Sequence, residues 1–470
     1  MPDWSYHTVL RPAARLLPAG KVRPLVLSSL ATIARLPGGG AFIHFLGHMD
    51  PPAVLGRSPV GLGGGLDPEG VALQAFERFG FGAIELNQPD AVNGRAPRVR
   101  ILSAGGNTAT RRSRASSPRE ILAELDSGAQ LVLVDSGFIE GGPALAKRTN
   151  EALAGRLDQP HNARPAWRLG WPYIALLGAG MAIAGLVVLA VGLTRVTLPY
   201  DESFLGLSHD AIAALNPQLL SFMKHDRVTL AGTMVSLGVF YGALGVFGMR
   251  RGWLWARSAT IASGAVGFAS LFLFLGFHYV DPLHVTIAVV LFPLFLAGVI
   301  LPTEERWPPS LDLDNDRVWR AGLWGQLYVI GLGAGLIVAG LTIATVGVTG
   351  VFVWSDLQFL STTSEALSRA NSHIVPLIAH DRAGFGGALA SDGVCVLLIG
   401  LWGFRRGEAW IWWTLLLAGS AGFLGGVYAH VAVGYLEFGH LLPVAISGAV
   451  FIAALALAAP YLLARRRVVS

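Results

Sequence analysis

The sequence predicts an α/β segment at the N-terminus, followed by an all-α membrane domain that crosses the bilayer several times. Two observations predict this division. Of the 470 residues, 53% are hydrophobic and 14% are charged, whereas soluble domains usually carry about 25% charged residues. The charge is also uneven, with 32 charged residues in 1–167 and 33 in 168–470. This distribution favours a soluble segment followed by a membrane region.

Charge and cysteine content exclude two classes of function. The formal net charge is +5, but no basic patch interleaved with aromatic residues occurs, so nucleic acid is not an expected partner. The one cysteine, Cys395, rules out disulfides within the chain and cysteine-rich metal sites. Positive charge is expected instead to follow bilayer topology and anionic lipid. The lipid bilayer is therefore a predicted partner.

Residues 1–48 interleave apolar positions with basic ones such as Arg11, Arg15 and Arg35. This pattern predicts short amphipathic helices that lie on the membrane, with their basic faces toward the headgroups. Packing of the same helices against the α/β segment is an equal alternative.

The α/β segment, 49–158, alternates predicted strands with helices. Strands are expected at 59–62, 80–86, 98–102 and 131–134, and residues 107–118 are expected to form an exposed polar loop. This spacing is typical of parallel βα units. Glycine loops that follow such strands commonly cradle phosphate, but tight-turn geometry is the better explanation of these glycines taken alone.

Eight apolar stretches after residue 170 are long enough to cross hydrocarbon, which takes roughly 20 helical residues. They lie at about 171–194, 228–249, 253–277, 283–301, 322–350, 383–404, 408–432 and 440–463. A linker at 159–170 precedes them. They form a first repeat at 171–301 and a second at 322–463, joined by a cytoplasmic linker at 302–321.

Arginine-rich turns mark one side of this membrane domain. With eight spans, Arg250-Arg251, Arg405-Arg406 and the C-terminal Arg465-Arg466-Arg467 all fall on the same side. The positive-inside rule makes that side cytoplasmic. We expect a multi-pass protein of the plasma or inner membrane with both termini in the cytoplasm.

Polar motifs recur within the membrane domain at an offset of 155 residues. His225-Asp226-Arg227 matches His380-Asp381-Arg382, and Arg250-Arg251-Gly252 matches Arg405-Arg406-Gly407. His284 matches His440 after a slip of one residue. These matches predict two parallel four-helix repeats related by a pseudo-twofold axis along the membrane normal.

The repeated histidines and carboxylates are the candidate metal site. By the predicted topology His225, Asp226, His284, His380, Asp381 and His440 all lie near the outer surface. Imidazole and carboxylate together suit a first-row metal, a proton relay or an anionic ligand. Helix caps and salt links are the structural alternative. We expect His225 to approach His284, and His380 to approach His440, within each repeat. Asp392 stands apart, because it falls mid-span where the first repeat has Leu237.

Three stretches of the α/β segment resemble one enzyme family. VGLGGGLDPEGVALQAFERFGFGAIEL is similar to the first two βα units of class 2, quinone-linked dihydroorotate dehydrogenases, and DSGAQLVLVDSGFIEGGPALAKRTNEAL to their last unit. ILSAGGN resembles the phosphate loop that precedes that last unit, and the resemblance covers roughly 1–155. It implies an FMN-binding TIM-like barrel that oxidises dihydroorotate to orotate, in pyrimidine biosynthesis, and passes electrons to quinone. Carried over by match, the flavin would be lined by Gly64, Gly65, Leu66 and Asp67, and its phosphate held by Gly106 and Ser136.

The segment departs from that family at its catalytic positions. Pro68 stands where the family has a substrate lysine, and Asp135 where it has a tyrosine. A complete barrel needs at least about 200 residues, so the 99 residues from Leu55 to Leu153 predict a half-barrel that lacks the middle, and no catalytic residue can be assigned. Its open edges would leave room for another chain to complete it.

Two functions are therefore expected from the sequence. One is a flavin- and quinone-linked membrane protein of the dihydroorotate dehydrogenase type, inactive or impaired for want of the barrel middle. The other is a transporter or an outward-facing ligand- or metal-binding protein with a regulatory half-barrel.

Overall fold

The computed structural model describes residues 3–47, 53–88, 99–103, 110–157, 164–272, 279–304, 306 and 312–464. Its first part is a parallel sheet with flanking helices, the sheet domain (3–157). Helices of this domain are α1 (3–14, with one π-helical turn), α2 (Ala19–Arg35), α3 (Gly39–Gly47), α4 (Leu73–Arg78), α5 (Pro118–Asp126), α6 (Gly137–Gly141) and α7 (Leu145–Ala154). Its strands are β1 (Val60–Leu62), β2 (Ala83–Leu86), β3 (Arg100–Ser103), β4 (Thr110–Ser113) and β5 (Leu131–Val134).

All strand pairs in this sheet are parallel, in the order β3-β2-β1-β5-β4. β1 and β5 read as continuous apolar runs because they lie inside the sheet. The prediction of a parallel α/β sheet is confirmed. The pairing of β5 with β1 brings the first and last strands together, as a half-barrel requires, but the half-barrel itself stays a prediction.

The strand count was wrong by one. Residues 110–113 form edge strand β4 instead of the expected loop. Exposed Arg111 and Arg112 hide this strand from a hydropathy reading, and charged residues of this kind are common on sheet edges. β3, whose sequence resembles the strand before the phosphate loop, pairs with β2 at the edge opposite β4.

The N-terminal helices pack on the sheet domain through one face. Leu27 of α2 and Ile43 of α3 belong to the apolar core formed by β1 and α4. Leu16, Leu25 and Phe42 are exposed on the other side. The described contacts therefore support packing on the domain, and the exposed apolar face stays compatible with the predicted membrane contact.

The second part is all-helical. Its helices are α8 (Trp171–Thr194), α9 (Pro199–Leu205), α10 (His209–Leu215), α11 (Leu219–Ala243, continued by π and 3-10 turns to Arg251), α12 (Leu254–Phe272), α13 (Pro282–Ile300), α14 (Arg317–Val348), α15 (Trp354–Leu360), α16 (Ser364–Ala370), α17 (Ile374–Leu398, continued to Gly403), α18 (Ala409–Val433) and α19 (Phe438–Leu462).

Within the described residues, seven helices are long and apolar enough to cross a membrane: α8, α11 and α13 of the first repeat and α14, α17, α18 and α19 of the second. A multi-pass membrane protein is thereby supported. α12 lies where the remaining expected span begins, but the residues that follow it, 273–278, are outside the described ranges. The count of eight stays a prediction.

The 155-residue repeat in the sequence corresponds to a repeat of local structure. The π-helical turns at Leu244–Gly248 and Ile399–Gly403 are 155 residues apart. So are Val196 and Val351, both in the left-handed region with φ of 64° and 63°. The Asn216 amide donates to the Leu360 carbonyl (2.9 Å), and the Asn371 amide donates to the Leu205 carbonyl (2.7 Å). Each repeat therefore caps the other.

Small residues let the helices approach closely. A Cβ on Gly340 of α14 would lie 2.3 Å from the Ala390 nitrogen, and one on Gly386 of α17 would lie 2.3 Å from the Ala344 nitrogen. Between α11 and α18, Gly232 faces Gly425 in the same way. Close packing of this kind holds membrane helices together, because lipid tails are as apolar as the helix surfaces and the hydrophobic effect does not drive helix association.

The sheet domain lies at the end of the helical domain that carries the basic turns. Arg405 pairs with Glu151 of α7 at 2.9 Å, and Arg119 of α5 forms two hydrogen bonds with Asp314 at 2.7 and 2.8 Å. Arg148 is fully buried and donates to Asn315 Oδ1 at 2.8 Å. From Arg251 to His225, α11 rises about 39 Å at roughly 1.5 Å per residue. The histidines therefore lie at the opposite end, the far end.

Candidate functional site

Three histidines from three helices meet at the far end. Cluster I consists of His225 (α11), His430 (α18) and His440 (α19), whose ligand atoms all lie within 4.8 Å of one another. His225 and His430 are 4% exposed. Their Nε2 atoms face each other at 3.1 Å, and the His440 ring lies 5.1 Å from that of His430. The arrangement matches the separation of two nitrogens on one tetrahedral ion, about 3.3 Å.

The hydrogen bonds on the other ring nitrogens determine which atoms are available in cluster I. His430 Nδ1 donates to the Gly426 carbonyl at 2.7 Å, and His225 Nδ1 lies 2.9 Å from Asp226 Oδ1. Both acceptors favour the proton on Nδ1 and leave a lone pair on Nε2. Histidine ligands of metals are held in this way by carboxylates and carbonyls. Two lone pairs at 3.1 Å repel each other unless a metal ion or a proton lies between them.

Cluster II is its counterpart and consists of Asp281, His284 and His380, whose ligand atoms also lie within 4.8 Å of one another. His380 Nδ1 lies 3.1 Å from Asp381 Oδ1, which repeats the His225–Asp226 contact. Asp281 caps the N-terminus of α13. Burial raises the pKa of its carboxyl above the usual aspartate range. The first repeat also contains His278 in its sequence, and this residue lies outside the described residues.

Each cluster draws its residues from both repeats, so the expected grouping within repeats was wrong. His225 lies with His440, and His380 lies with His284. α11 packs against α18, and α17 packs against α12, so the second helix of each repeat meets the third helix of the other. The four predicted histidines fall two in each cluster, and His430 and Asp281 are the third members. The predicted Asp226 and Asp381 lie beside the clusters, next to the Nδ1 atoms of His225 and His380.

Buried ion pairs also cross between the repeats. Arg227 pairs with Asp381 at 3.0 Å, and Arg382 pairs with Asp226 at 3.2 Å. Asp381 and Asp226, the carboxylates beside His380 and His225, are therefore each held by an arginine of the opposite repeat. An opposite charge together with hydrogen bonds offsets the desolvation free energy that a buried charge costs.

Four further residues complete this network and repeat with the same spacing. Arg227 also pairs with Asp201 (2.8 Å) and Arg382 with Asp356 (2.5 Å). Tyr279 donates to Asp201, and Tyr435 donates to Asp356. Burial raises the pKa of both phenols, which keeps them protonated donors. The sequence carried a signal for these residues, since the aspartates match at 155 and the tyrosines at the same one-residue slip as His284 and His440.

The clusters open on cavities of different size. A cavity of about 870 Å³ is lined by cluster I at one end and reaches Asp392. A cavity of about 130 Å³ is lined by His284, His380 and Asp281 of cluster II. The two repeats thus match at the far end and differ deeper in the helical domain.

The glycine loop after β1 tests whether the sheet domain suits FMN. The backbone N–H of Gly64 donates to Glu85 Oε2 at 3.0 Å, and that of Gly65 donates to Asp135 Oδ1 at 3.2 Å. Asp67 is 2% exposed and its carboxylate caps the Val71 and Ala72 N–H groups within the same loop. The donors that would approach a flavin are therefore already bound to carboxylates.

The residues predicted to hold the flavin phosphate, Gly106 and Ser136, do not add support for FMN binding. Ser136 is exposed and its hydroxyl does not cap α6, and Gly106 lies outside the described residues. Gly63 is so close to Asp135 that a Cβ there would lie 2.1 Å from the carboxylate oxygen. Of the two carboxylates at this edge of the sheet, Glu85 is paired with Arg112 at 2.5 Å, so Asp135 is the one that repels an anion. The described residues do not fit FMN.

Comparison with known proteins agrees with part of the resemblance. The chain is 36% identical over 105 residues to a dihydroorotate dehydrogenase (quinone) from Deinococcus deserti. The match covers 20% of this chain and 29% of that enzyme. No family model and no solved structure matches. A distant relation of part of the chain to dihydroorotate dehydrogenases is supported, and it says nothing of the membrane domain.

Proposed function

We propose that this multi-pass membrane protein binds a divalent transition metal ion at cluster I. The contact that carries the proposal is the one between His225 Nε2 and His430 Nε2, at 3.1 Å, with both Nδ1 atoms next to acceptors. With His440 the cluster offers three imidazoles, a ligand set that suits Zn²⁺, Cu²⁺, Fe²⁺ or Ni²⁺. A tetrahedral ion so held keeps one position open toward the large cavity. Cluster II, with two histidines and a carboxylate, is a second site of lower nitrogen content.

Metal analysis of purified protein tests this proposal. After loading with Zn²⁺ and desalting, the protein in detergent should retain zinc, and His430→Gln should retain one equivalent less. His209→Gln, in a short far-end helix outside both clusters, is the matched control and should retain the wild-type amount. Wild-type protein that holds no zinc, or a His430→Gln protein with unchanged stoichiometry, would overturn the proposal of metal binding at cluster I.

We further propose that the sheet domain is a docked, non-catalytic relative of dihydroorotate dehydrogenase. Three observations support this: the chain spans 29% of its relative, Pro68 replaces the substrate lysine that the resemblance implies, and carboxylates occupy the glycine loop. The domain would regulate the helical domain, to which it is joined by Arg148 and Arg405. The edge strands β3 and β4 leave room for a further chain.

A flavin absorbance spectrum and a dihydroorotate–quinone assay test the second proposal. We expect no bound flavin and no turnover. Turnover at about 1 s⁻¹ or more, the range typical of enzymes, would refute it and would restore the sequence prediction of quinone-linked oxidation. We place the protein in the plasma or inner membrane, with eight spans and both termini in the cytoplasm. This placement rests on the arginine turns and the sheet domain sharing one end.

A further inference from the structure

The large cavity has one polar wall. Along α11 its lining includes His225, Thr229, Thr233 and Ser236, which share one helix face. The Thr229 hydroxyl donates to the His225 carbonyl at 2.8 Å, and the Thr233 hydroxyl donates to the Thr229 carbonyl at 3.1 Å. Their oxygens remain available as acceptors. A volume of about 870 Å³ holds many water molecules, and the hydroxyls and imidazoles supply the polar partners that such waters need.

Asp392 lies at the inner end of this wall. It is 6% exposed, and the Ser236 hydroxyl lies 3.0 Å from both of its oxygens. It lies about 18 Å along α17 from His380, at roughly 1.5 Å per residue, which is mid-span. An ionised carboxylate at that depth is costly unless it is paired.

The groups that face Asp392 offer it no positive charge. Its hydrogen-bond partner is the Ser236 hydroxyl. The titratable groups near it are Tyr241 and Cys395, and both of these side chains are neutral when protonated. The walls contributed by α14 and α18 are apolar at this level, with Leu332, Leu336 and Leu415. Within the described part of the chain, Asp392 forms no ion pair. A proton or a cation must therefore neutralise it.

The other repeat shows that this wall is not a by-product of the duplication. At the 155-residue offset the counterparts of Thr229, Thr233 and Ser236 are Gly384, Ala388 and Ser391, which line the 130 Å³ cavity, and Leu237 takes the place of Asp392. The serine is thus kept on both sides, whereas the two threonine hydroxyls and the carboxylate occur together on one side only.

We propose that Asp392 is a proton-binding site, reached from the far end by water along Thr229, Thr233 and Ser236. The proton enters past cluster I, moves along water held by the threonine hydroxyls, and binds a carboxylate oxygen of Asp392 that faces Ser236. The Ser236 hydroxyl fixes the orientation of the carboxyl group. The inference concerns the metal-free protein and does not rest on metal binding at cluster I.

Difference infrared spectroscopy of the reconstituted, metal-free protein tests the proton. A carbonyl band of one protonated carboxyl should be present, should shift in D₂O and should disappear in Asp392→Asn. Ser236→Ala should keep the band at a different frequency, because one hydrogen bond is lost, and the exposed Asp210→Asn should leave it unchanged. Absence of a band that depends on Asp392 would overturn the proposal. So would its loss on adding Zn²⁺ to a His430→Gln protein, since a metal ion would then neutralise Asp392.

Thiol labelling tests the water path. Native Cys395 is fully buried, its thiol contacts the Ser263 hydroxyl at 3.1 Å, and it is not among the residues that line the large cavity. In a Cys395→Ala background, Thr233→Cys should react with a charged, membrane-impermeant thiol reagent at least tenfold faster than Cys395 does in the wild type. Ala388→Cys, its counterpart in the small cavity, is the matched control and should react slowly. A Thr233→Cys protein that elutes as a folded monodisperse species and reacts no faster than Ala388→Cys would overturn the path.

Discussion

Removal of either buried arginine should destabilise the helical domain strongly and by nearly the same amount. Arg227→Met leaves Asp201 (0% exposed) and Asp381 (7% exposed) without a cation. Arg382→Met leaves Asp356 and Asp226 in the same state. Breaking a buried pair by removing one partner costs about 3–5 kcal/mol. Because tyrosine and backbone donors still reach Asp201 and Asp356, the lower part of that range is expected.

The measurement is unfolding in mixed detergent, followed by circular dichroism. Exposed Arg369→Met, on the same end of the molecule, should stay within about 0.5 kcal/mol of the wild type. A double-mutant cycle then tests the crossing of the pairs. Arg227→Met with Asp381→Asn should show a coupling free energy of about 2 kcal/mol, and Arg227→Met with Asp356→Asn a smaller one. Equal coupling in both cycles, or a loss below about 1 kcal/mol for the single variants, would refute the reasoning.

Three further predictions concern the sheet domain and the topology. Arg148→Met leaves Asp3 and Asp312 buried without their cation, so trypsin should cleave after exposed Arg168, which is followed by Leu169, at least about tenfold faster, equivalent to ~1.4 kcal/mol. Arg156→Met, in an exposed pair on the same domain, should not change the rate of cleavage after Arg168. Hydrogen bonds from Arg119 lower the pKa of Asp314. The contact therefore stabilises docking fully at pH values above the usual aspartate pKa, and this stabilisation is lost as the pH falls through the lowered pKa. In Arg119→Gln the acid-unfolding midpoint, followed by tryptophan fluorescence, should move to higher pH, and an unchanged midpoint would contradict this. In a Cys395→Ala background, Lys224→Cys should label from outside the cell and Arg250→Cys, at the other end of the same helix, should not; the reverse pattern would invert the topology.

The sequence predicts the helices and strands of this molecule better than it predicts which of them contact each other. The apolar stretches, the parallel strands and the 155-residue repeat follow from periodicity and spacing, which are local properties. Which helices touch depends on packing: glycine pairs such as Gly232 and Gly425 bring α11 against α18, and no spacing in the sequence reports that. For this reason His225 was assigned to His284, when its neighbours are His430 and His440.

The loop after β1 shows the same limit at smaller scale. Gly64 and Gly65 have the residue types that a phosphate needs, and the sequence supports that reading. The side chains that occupy their N–H groups, Glu85 and Asp135, come from the ends of β2 and β5. Because parallel strands end at the same edge, these carboxylates converge there, and a motif confined to one loop does not include them.

The two repeats share their polar structure at the far end and differ in the residues that lie deeper. Far-end features are conserved between them: the histidine–aspartate contacts, the crossed arginines, the tyrosine–aspartate hydrogen bonds and the left-handed valines, whose carbonyls both accept from the arginine of their own repeat. These features hold two polar clusters in place at the far end, and the crossed ion pairs connect each repeat to the other. Below that level one side has Gly384 and Ala388 beside a small cavity, and the other has Thr229 and Thr233 beside a large cavity that reaches Asp392. The single polar wall is itself shared between the repeats, because Thr229, Thr233 and Ser236 come from the first repeat and Asp392 comes from the second. Both repeats are therefore needed to build it, although only one of the two possible copies is present in the described residues.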